Sequence, residues 1–281
     1  MLVEKRETLG NHWVWRGHID FSRPDAQMGS FGGSLSCAMK LRCFPRRRFR
    51  GLPIPQVLIA PSIDPLSDKN RELEEKIIDG VFARFAIDRS RPVVTQISRF
   101  DYLKDPIGVI KAYKLAKENT DMQLVLAGGG ATDDPEGPII MEQVRQAADK
   151  DKDIFVLFLP PASDIEINAL QRGSTIILQK SLKEGFGLTV SEALWKGKLT
   201  IASAVGGIPL QIAHKYSGIL THSVEGTAQW IKQLLGAPDY ARKLGINGWE
   251  QIRNNFLITR HIKDYLLLFL SLFEEGKVVY L

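Results

Sequence analysis

The chain is poor in cysteine, with only Cys37 and Cys43 in 281 residues. Two cysteines build no disulfide framework, so a reducing, cytoplasmic compartment is the expectation. Histidine is also scarce, five in all with no pair at metal-ligand spacing, and no metal site is expected. No apolar run approaches the roughly eighteen residues of a membrane span. The longest candidate, Tyr265 to Leu270, reads as a core-facing helix segment, and Met1 to Arg6 holds no apolar signal core, so no membrane partner is expected. The spacing G-x-G-x-x-G at a helix start is missing too, which excludes the dinucleotide fingerprint. What remains is 44% hydrophobic residues, enough for a sizeable core in one large or two ordinary domains.

The net charge of +5 sits in one place. Residues 25–58 hold Lys40, Arg42, Arg46, Arg47, Arg48 and Arg50 against the single acid Asp25, and the rest of the chain is balanced. A basic cluster of this kind usually marks a solvated segment, and aromatic interleaving is thin, with Phe31, Phe44 and Phe49. No nucleic-acid partner is expected. The same segment shows little periodicity and is punctuated by Gly29, Gly32, Gly33, Pro45, Gly51, Pro53 and Pro55, so it reads as irregular.

From Arg91 onward short β-rich runs alternate with amphipathic helices. Strands are expected at 92–97, 122–127, 154–158, 174–179, 200–202 and 218–221, with helices at 106–119, 136–150, 164–173 and 190–196 between them and at 260–273 after them. Asp105 and Pro106 read as N-cap and first helical residue, and Ser163 with Glu166 as a capping box. Such alternation predicts an α/β fold with a Rossmann-like, doubly wound parallel sheet. Ligands of such sheets bind outside the carboxyl ends of the strands.

Two loops at those ends carry the chemistry. Glu184-Gly185-Phe186-Gly187-Leu188-Thr189-Val190-Ser191-Glu192 is a glycine-rich turn between strand and helix, with free N–H groups and the positive end of a helix dipole available to a phosphate. Glu184 and Glu192 flank it and can accept hydrogen bonds from vicinal sugar hydroxyls. Thr189 to Glu192 reads equally as a capping box that only starts a helix. Arg99 and Lys104, on the loop after the first strand of this region, can supply two cations to a diphosphate, or can be an exposed pair on a βα loop. Gly128-Gly129-Gly130 adds a weaker third loop. A glycoside hydrolase pair at Glu184 and Glu192 fits less well, since it has no use for a phosphate-binding turn between the carboxylates.

At Arg99, Lys104 and Glu184-x7-Glu192 the sequence resembles the retaining nucleotide-sugar glycosyltransferases of family four. Within that family Trp15 to Asp20, Pro61 to Ser67, Asp133 to Gly137 and Glu184 to Gly197 look like the trehalose synthase and trehalose phosphorylase group. The match covers about 61–273, with an island at 13–20. The resemblance implies the C-terminal half of a GT-B fold: residues 61–281 as donor domain and 1–60 as remnant of an N-terminal acceptor domain. It implies a nucleoside diphosphate glucose as substrate rather than cofactor, and a sugar acceptor as second partner. Arg99 and Lys104 would hold the diphosphate, and the N–H groups of Gly187, Leu188 and Thr189 the distal phosphate, within the turn that includes Gly185 and Phe186. Glu192 would take the ribose, and Glu184 the transferred glucose. His18 matches a family histidine that approaches the donor sugar, and is equally a packed strand residue. Residues 25–58 depart from the family pattern as a shifted reading frame would make them. A chain lacking the acceptor domain is expected to be inactive or weakly active, or to act as a non-catalytic nucleotide-sugar binding module. The apolar face of the last helix would be left uncovered, giving a homo-oligomer or instability.

Overall fold

Strands whose residues alternate between two apolar faces need helices on both sides, and the chain supplies them in strict alternation. A computed structural model describes residues 14–20, 40–44, 57–118, 120–129, 137–149 and 151–273. It divides into two units, Met1–Ser62 with Ile258–Leu281, and Ile63–Leu257.

In the first unit, β1 (Val14–Asp20) pairs in parallel with β2 (Lys40–Phe44). The strand β2 falls inside the segment read as irregular. Its five residues, Lys-Leu-Arg-Cys-Phe, are too few to show a period, which corrects that reading locally. The other residues of 25–56 lie outside the described residues, as do Gly130 and Asp133 to Glu136. A helix over Ile258–Phe273 completes this unit; Arg260 Nη2 on it donates to the carbonyl of Ala60 at 2.8 Å. Along that helix Leu268 and Leu272 are buried while Ile262, Leu266, Phe269 and Leu270 are exposed among the described residues, which corrects the reading of 265–270 as core-facing: the helical period turns only one side of the apolar run inward.

The second unit opens with α1 (Glu75–Arg84). It continues with β3 (Val93–Ile97), α2 (Pro106–Lys117), β4 (Gln123–Gly128), α3 (Gly137–Ala148), β5 (Ile154–Phe158), α4 (Asp164–Gly173), β6 (Ile176–Gln179) and α5 (Leu188–Trp195). The remaining elements are β7 (Leu199–Ser203), α6 (Ile208–Gln211), β8 (Ile219–Thr221), α7 (Val224–Leu235) and α8 (Pro238–Asn255). Six parallel strands lie in the order β5-β4-β3-β6-β7-β8. The chain builds outward from β3 in one direction and then, from β6, in the other. That reversal is the topological switch point, where two neighbouring strands send their loops to opposite sides and leave a crevice.

Side chains sort by the two-residue period. Val94, Leu124, Leu126, Ile176 and Leu178 pack under α2, α3 and α7, while Val93, Ile97, Val125 and Ala127 pack under α1 and α4. Gly128 ends β4 because a Cβ there would stand 1.8 Å from the carbonyl oxygen of Ser98. Among the described residues no helix is long and apolar enough to cross a membrane.

Both proposed capping boxes dissolve. Ser163 Oγ donates to the carbonyl of Pro160 at 2.8 Å, and Glu166 pairs with Arg84, so neither caps α4. The helix α5 starts at Leu188 behind Gly187 in the left-handed conformation (φ 81). Thr189 is therefore already helical, and Glu192 stands in the second turn rather than the first. The Asp105–Pro106 start of α2 is as expected: Asp105 Oδ1 accepts from the N–H of Gly108 at 3.0 Å.

Candidate functional site

The loops after β3 and β6 leave neighbouring strands at the switch point, and the register Gln96↔Leu178 keeps their ends level. The first loop folds on itself: Asp101 Oδ1 accepts from the N–H of Lys104 at 3.1 Å, capping a short 3₁₀ turn over Tyr102–Lys104. Phe100 is buried and anchors it. The second loop is tied to the first by the N–H of Leu182, which donates to the carbonyl of Leu103 at 2.8 Å.

Charge completes the junction. Lys104 Nζ donates to Glu184 Oε2 at 2.6 Å, and Ser181 Oγ donates to the same oxygen at 3.1 Å. Both members of this pair are largely buried, so Glu184 is no solubilising surface residue. Arg99 stands apart: it is more than half exposed and pairs with Asp101 at 3.2 Å. The structure therefore brings Lys104 to Glu184 and leaves Arg99 on the rim.

The glycine-rich turn is fixed from behind by residues that the sequence alone did not single out. Gln211, fully buried on α6, accepts from Ser191 Oγ at 2.6 Å and donates to the carbonyl of Phe186 at 2.5 Å. Phe186 packs on Phe256 with ring centroids 5.6 Å apart. The turn after β7 presses on the other side: Gly207 N–H donates to the carbonyl of Gly185 at 2.9 Å. Gly206, at φ +54, has no room for a Cβ, which would lie 1.8 Å from the carbonyl oxygen of Glu184. By contrast no atom of the described residues lies within 4 Å of the Cβ position of Gly185. The N–H groups of Gly187, Leu188 and Thr189 donate to none of the described residues.

Glu192 is 9% exposed. Its carboxylate accepts no hydrogen bond from a described side chain or backbone group; its charged neighbours are Lys196, Lys69 and Asp164. Burial raises its pKa above the ordinary carboxylate value, and the lysines oppose that rise. Lys196, one helical turn on, is pushed down to about 7, chiefly by burial; its Nζ donates to Asn70 Oδ1 and to the carbonyl of Glu192, both at 3.1 Å. Lys196 follows Glu192 by four positions, a spacing that sequence inspection could have flagged. His18 stands on β1, in the other unit. Among the described residues no group of three metal-ligating side chains comes together.

The family model described as glycosyl transferases group 1 matches residues 79–251. The trehalose synthase of Rubrobacter xylanophilus is 41% identical over 268 residues, which cover 94% of this chain and 64% of that protein. The trehalose phosphorylase of Pleurotus pulmonarius is 40% identical over 149 residues, 47% of this chain and 20% of that one. Among solved structures, Anabaena HepE in complex with UDP and glucose superposes with a TM-score of 0.79 at 16% identity, covering 96% of this chain and 73% of that chain. At that identity the likeness carries the fold alone. The chain thus spans less than two thirds, 64%, of the length of the trehalose synthase it matches.

Proposed function

The chain belongs to the glycosyl transferases group 1, and on that premise we propose that it binds a nucleoside diphosphate glucose and moves the glucose to a sugar acceptor with retained anomeric configuration. The observation that carries the reading is Glu192. Its residue is largely buried, yet its carboxylate oxygens accept from no described group and are left open to a ligand, and a ribose diol supplies two donors. It stands on the same short helix whose first N–H groups are unused, where an anion is favoured.

Lys104 and Arg99 hold the diphosphate in this reading, with Arg99 swinging from Asp101. They stabilise charge that builds on the leaving group as the bond from anomeric carbon to phosphate oxygen breaks. Gly187, Leu188 and Thr189 hold the distal phosphate, and Glu184, with one oxygen fixed by Lys104, keeps the other for a glucose hydroxyl. The acceptor's oxygen bonds to the anomeric carbon on the face that the diphosphate leaves, and its proton passes to the departing phosphate oxygen.

In a second reading the chain is a nucleotide-sugar binding module that does not transfer the sugar, since Arg99, Lys104, Glu184 and Glu192 all lie within the one unit Ile63–Leu257. Release of nucleoside diphosphate is the test, with ADP-, UDP- or GDP-glucose as donor and glucose as acceptor. Turnover by the chain alone with an α-linked product supports the first reading; saturable donor binding without turnover supports the second. Neither binding nor turnover contradicts both.

A further inference from the structure

Lys180 follows β6 directly, and nothing in its sequence neighbourhood sets it apart from other cations. The structure leaves it 7% exposed and puts its Nζ 2.7 Å from Asp105 Oδ2, on the loop of the neighbouring strand. Lysine is rarely buried unless paired, and removing one member of such a pair strands the other's charge. Asp105 is itself unusual. It occupies left-handed backbone, φ 47 and ψ 50, a region that residues with a Cβ enter at a cost.

Both oxygens of Asp105 are engaged, Oδ1 by the N–H of Gly108 at 3.0 Å and Oδ2 by Lys180. A side chain at position 108 would end this arrangement, since a Cβ there would lie 2.1 Å from Asp105 Oδ2. Gln96, 1% exposed at the end of β3, adds the second tie. Its Nε2 donates to the carbonyl of Lys104 at 2.9 Å, and its Oε1 accepts from the N–H of Lys180 at 2.8 Å. The peptide between Lys104 and Asp105 is thus gripped on both sides, by Gln96 at the carbonyl and by Lys180 through the Asp105 carboxylate.

We infer that Lys180 and Gln96 are positioning residues for Lys104, holding Asp105 in left-handed geometry and the Lys104–Asp105 peptide in place so that the Lys104 ammonium is presented at Glu184. The inference deepens the donor-site reading above and rests on it. Lys180 works through Asp105, because its ammonium is already engaged by that carboxylate. Replacing Lys180 by methionine strands a largely buried carboxylate, Asp105 relaxes towards an ordinary conformation, and Lys104 is withdrawn.

The test uses the full chain in two measurements: amide hydrogen exchange at Gly108 and Leu182, and calorimetric titration with ADP-, UDP- and GDP-glucose. Lys180→Met is expected to speed exchange at both amides at least tenfold and to weaken donor binding at least tenfold, while Lys180→Arg keeps both near wild type. The double variant Lys180→Met with Asp105→Gly is expected to restore donor binding and exchange at Leu182, because glycine enters the left-handed region freely and removes the stranded carboxylate, while Gly108 stays fast because its acceptor, Asp105 Oδ1, is gone. Unchanged exchange in Lys180→Met overturns the inference. So does a binding loss that Asp105→Gly fails to restore in a folded double variant, since Lys180 would then act on the ligand directly. A wild-type chain that binds none of the three donors overturns the donor-site reading instead, and the exchange measurement still decides whether Lys180 holds the loop.

Discussion

Lys104 Nζ and Glu184 Oε2 lie 2.6 Å apart although eighty residues separate them, because they end loops from the two strands that meet at the switch point. The pair joins the two halves of the sheet at the carboxyl ends of its strands. Largely buried, it differs from the exposed pairs that contribute almost nothing to stability.

Removing one member leaves the other stranded. Lys104→Met is expected to destabilise the chain by about 2 kcal/mol in urea denaturation, within the usual range for a buried charge that loses its partner. Adding Glu184→Gln to that variant recovers part of the loss. Additive effects would mean that the two side chains do not interact in solution.

The turn after β7 sets where Glu184 sits. Gly206→Ala meets the carbonyl of Glu184 and also strains a backbone at φ +54, so a loss of about 2 kcal/mol or more is expected. Gly197→Ala is the control. Its backbone is also left-handed, at φ +67, but open space surrounds the Cβ position, and a loss of about 1 kcal/mol is expected. Equal thermal shifts for the two variants would remove the packing argument.

At the opposite edge of the sheet Arg91 pairs with Asp121 and Asp153, and Lys117 with Asp151 and Asp153, tying the entries of β3, β4 and β5. Hydrogen bonds from Arg91 and then Lys117 hold the Asp153 carboxyl well below the ordinary carboxylate range. A group depressed in the folded state stabilises above its unfolded value, near 4, and loses that contribution as pH falls towards the folded value. Arg91→Ala is therefore expected to lower the melting temperature by roughly 2–8 °C at pH 7, from about 1–2 kcal/mol, and by less at pH 3. A shift independent of pH would contradict this.

Donor binding should follow Glu192 and Lys196. Burial raises the Glu192 carboxyl, so binding weakens as pH falls through that raised value and the carboxylate gains a proton. Lys196 titrates near 7, and its charge favours the ionised carboxylate below that pH. Lys196→Met takes away the cation, raises Glu192 further and moves the acid limb of binding to higher pH. Calorimetry between pH 5 and 8 checks the direction. A limb that stays in place would separate the two residues.

Much of this was legible in the sequence. The strands β3 to β8 carry β-branched and leucine runs bounded by glycine, proline and helix starts, and they lie within a residue or two of where the pattern puts them. The glycine-rich turn and the Asp105–Pro106 start are local chemistry, which a sequence displays directly. What it hides is pairing over distance. Gln211 and Gln96 resemble any glutamine until the fold buries them against the loops. Lys180 gives no sign that its partner is 75 positions back. The box at Ser163 failed partly for the same reason, since Glu166 pairs with Arg84, 82 positions back, whereas the box at Thr189 failed locally, because α5 starts at Leu188 behind Gly187.

Whether a nucleotide sugar binds at the switch point is decided by calorimetric titration of the purified chain with ADP-, UDP- and GDP-glucose, run beside Glu192→Ala and Arg99→Ala. Saturable binding of at least one donor is expected, weakened at least tenfold by Glu192→Ala and measurably by Arg99→Ala. A chain that circular dichroism shows to be folded and that binds none of them, or binds one as well without the Glu192 carboxylate, contradicts the donor-site reading.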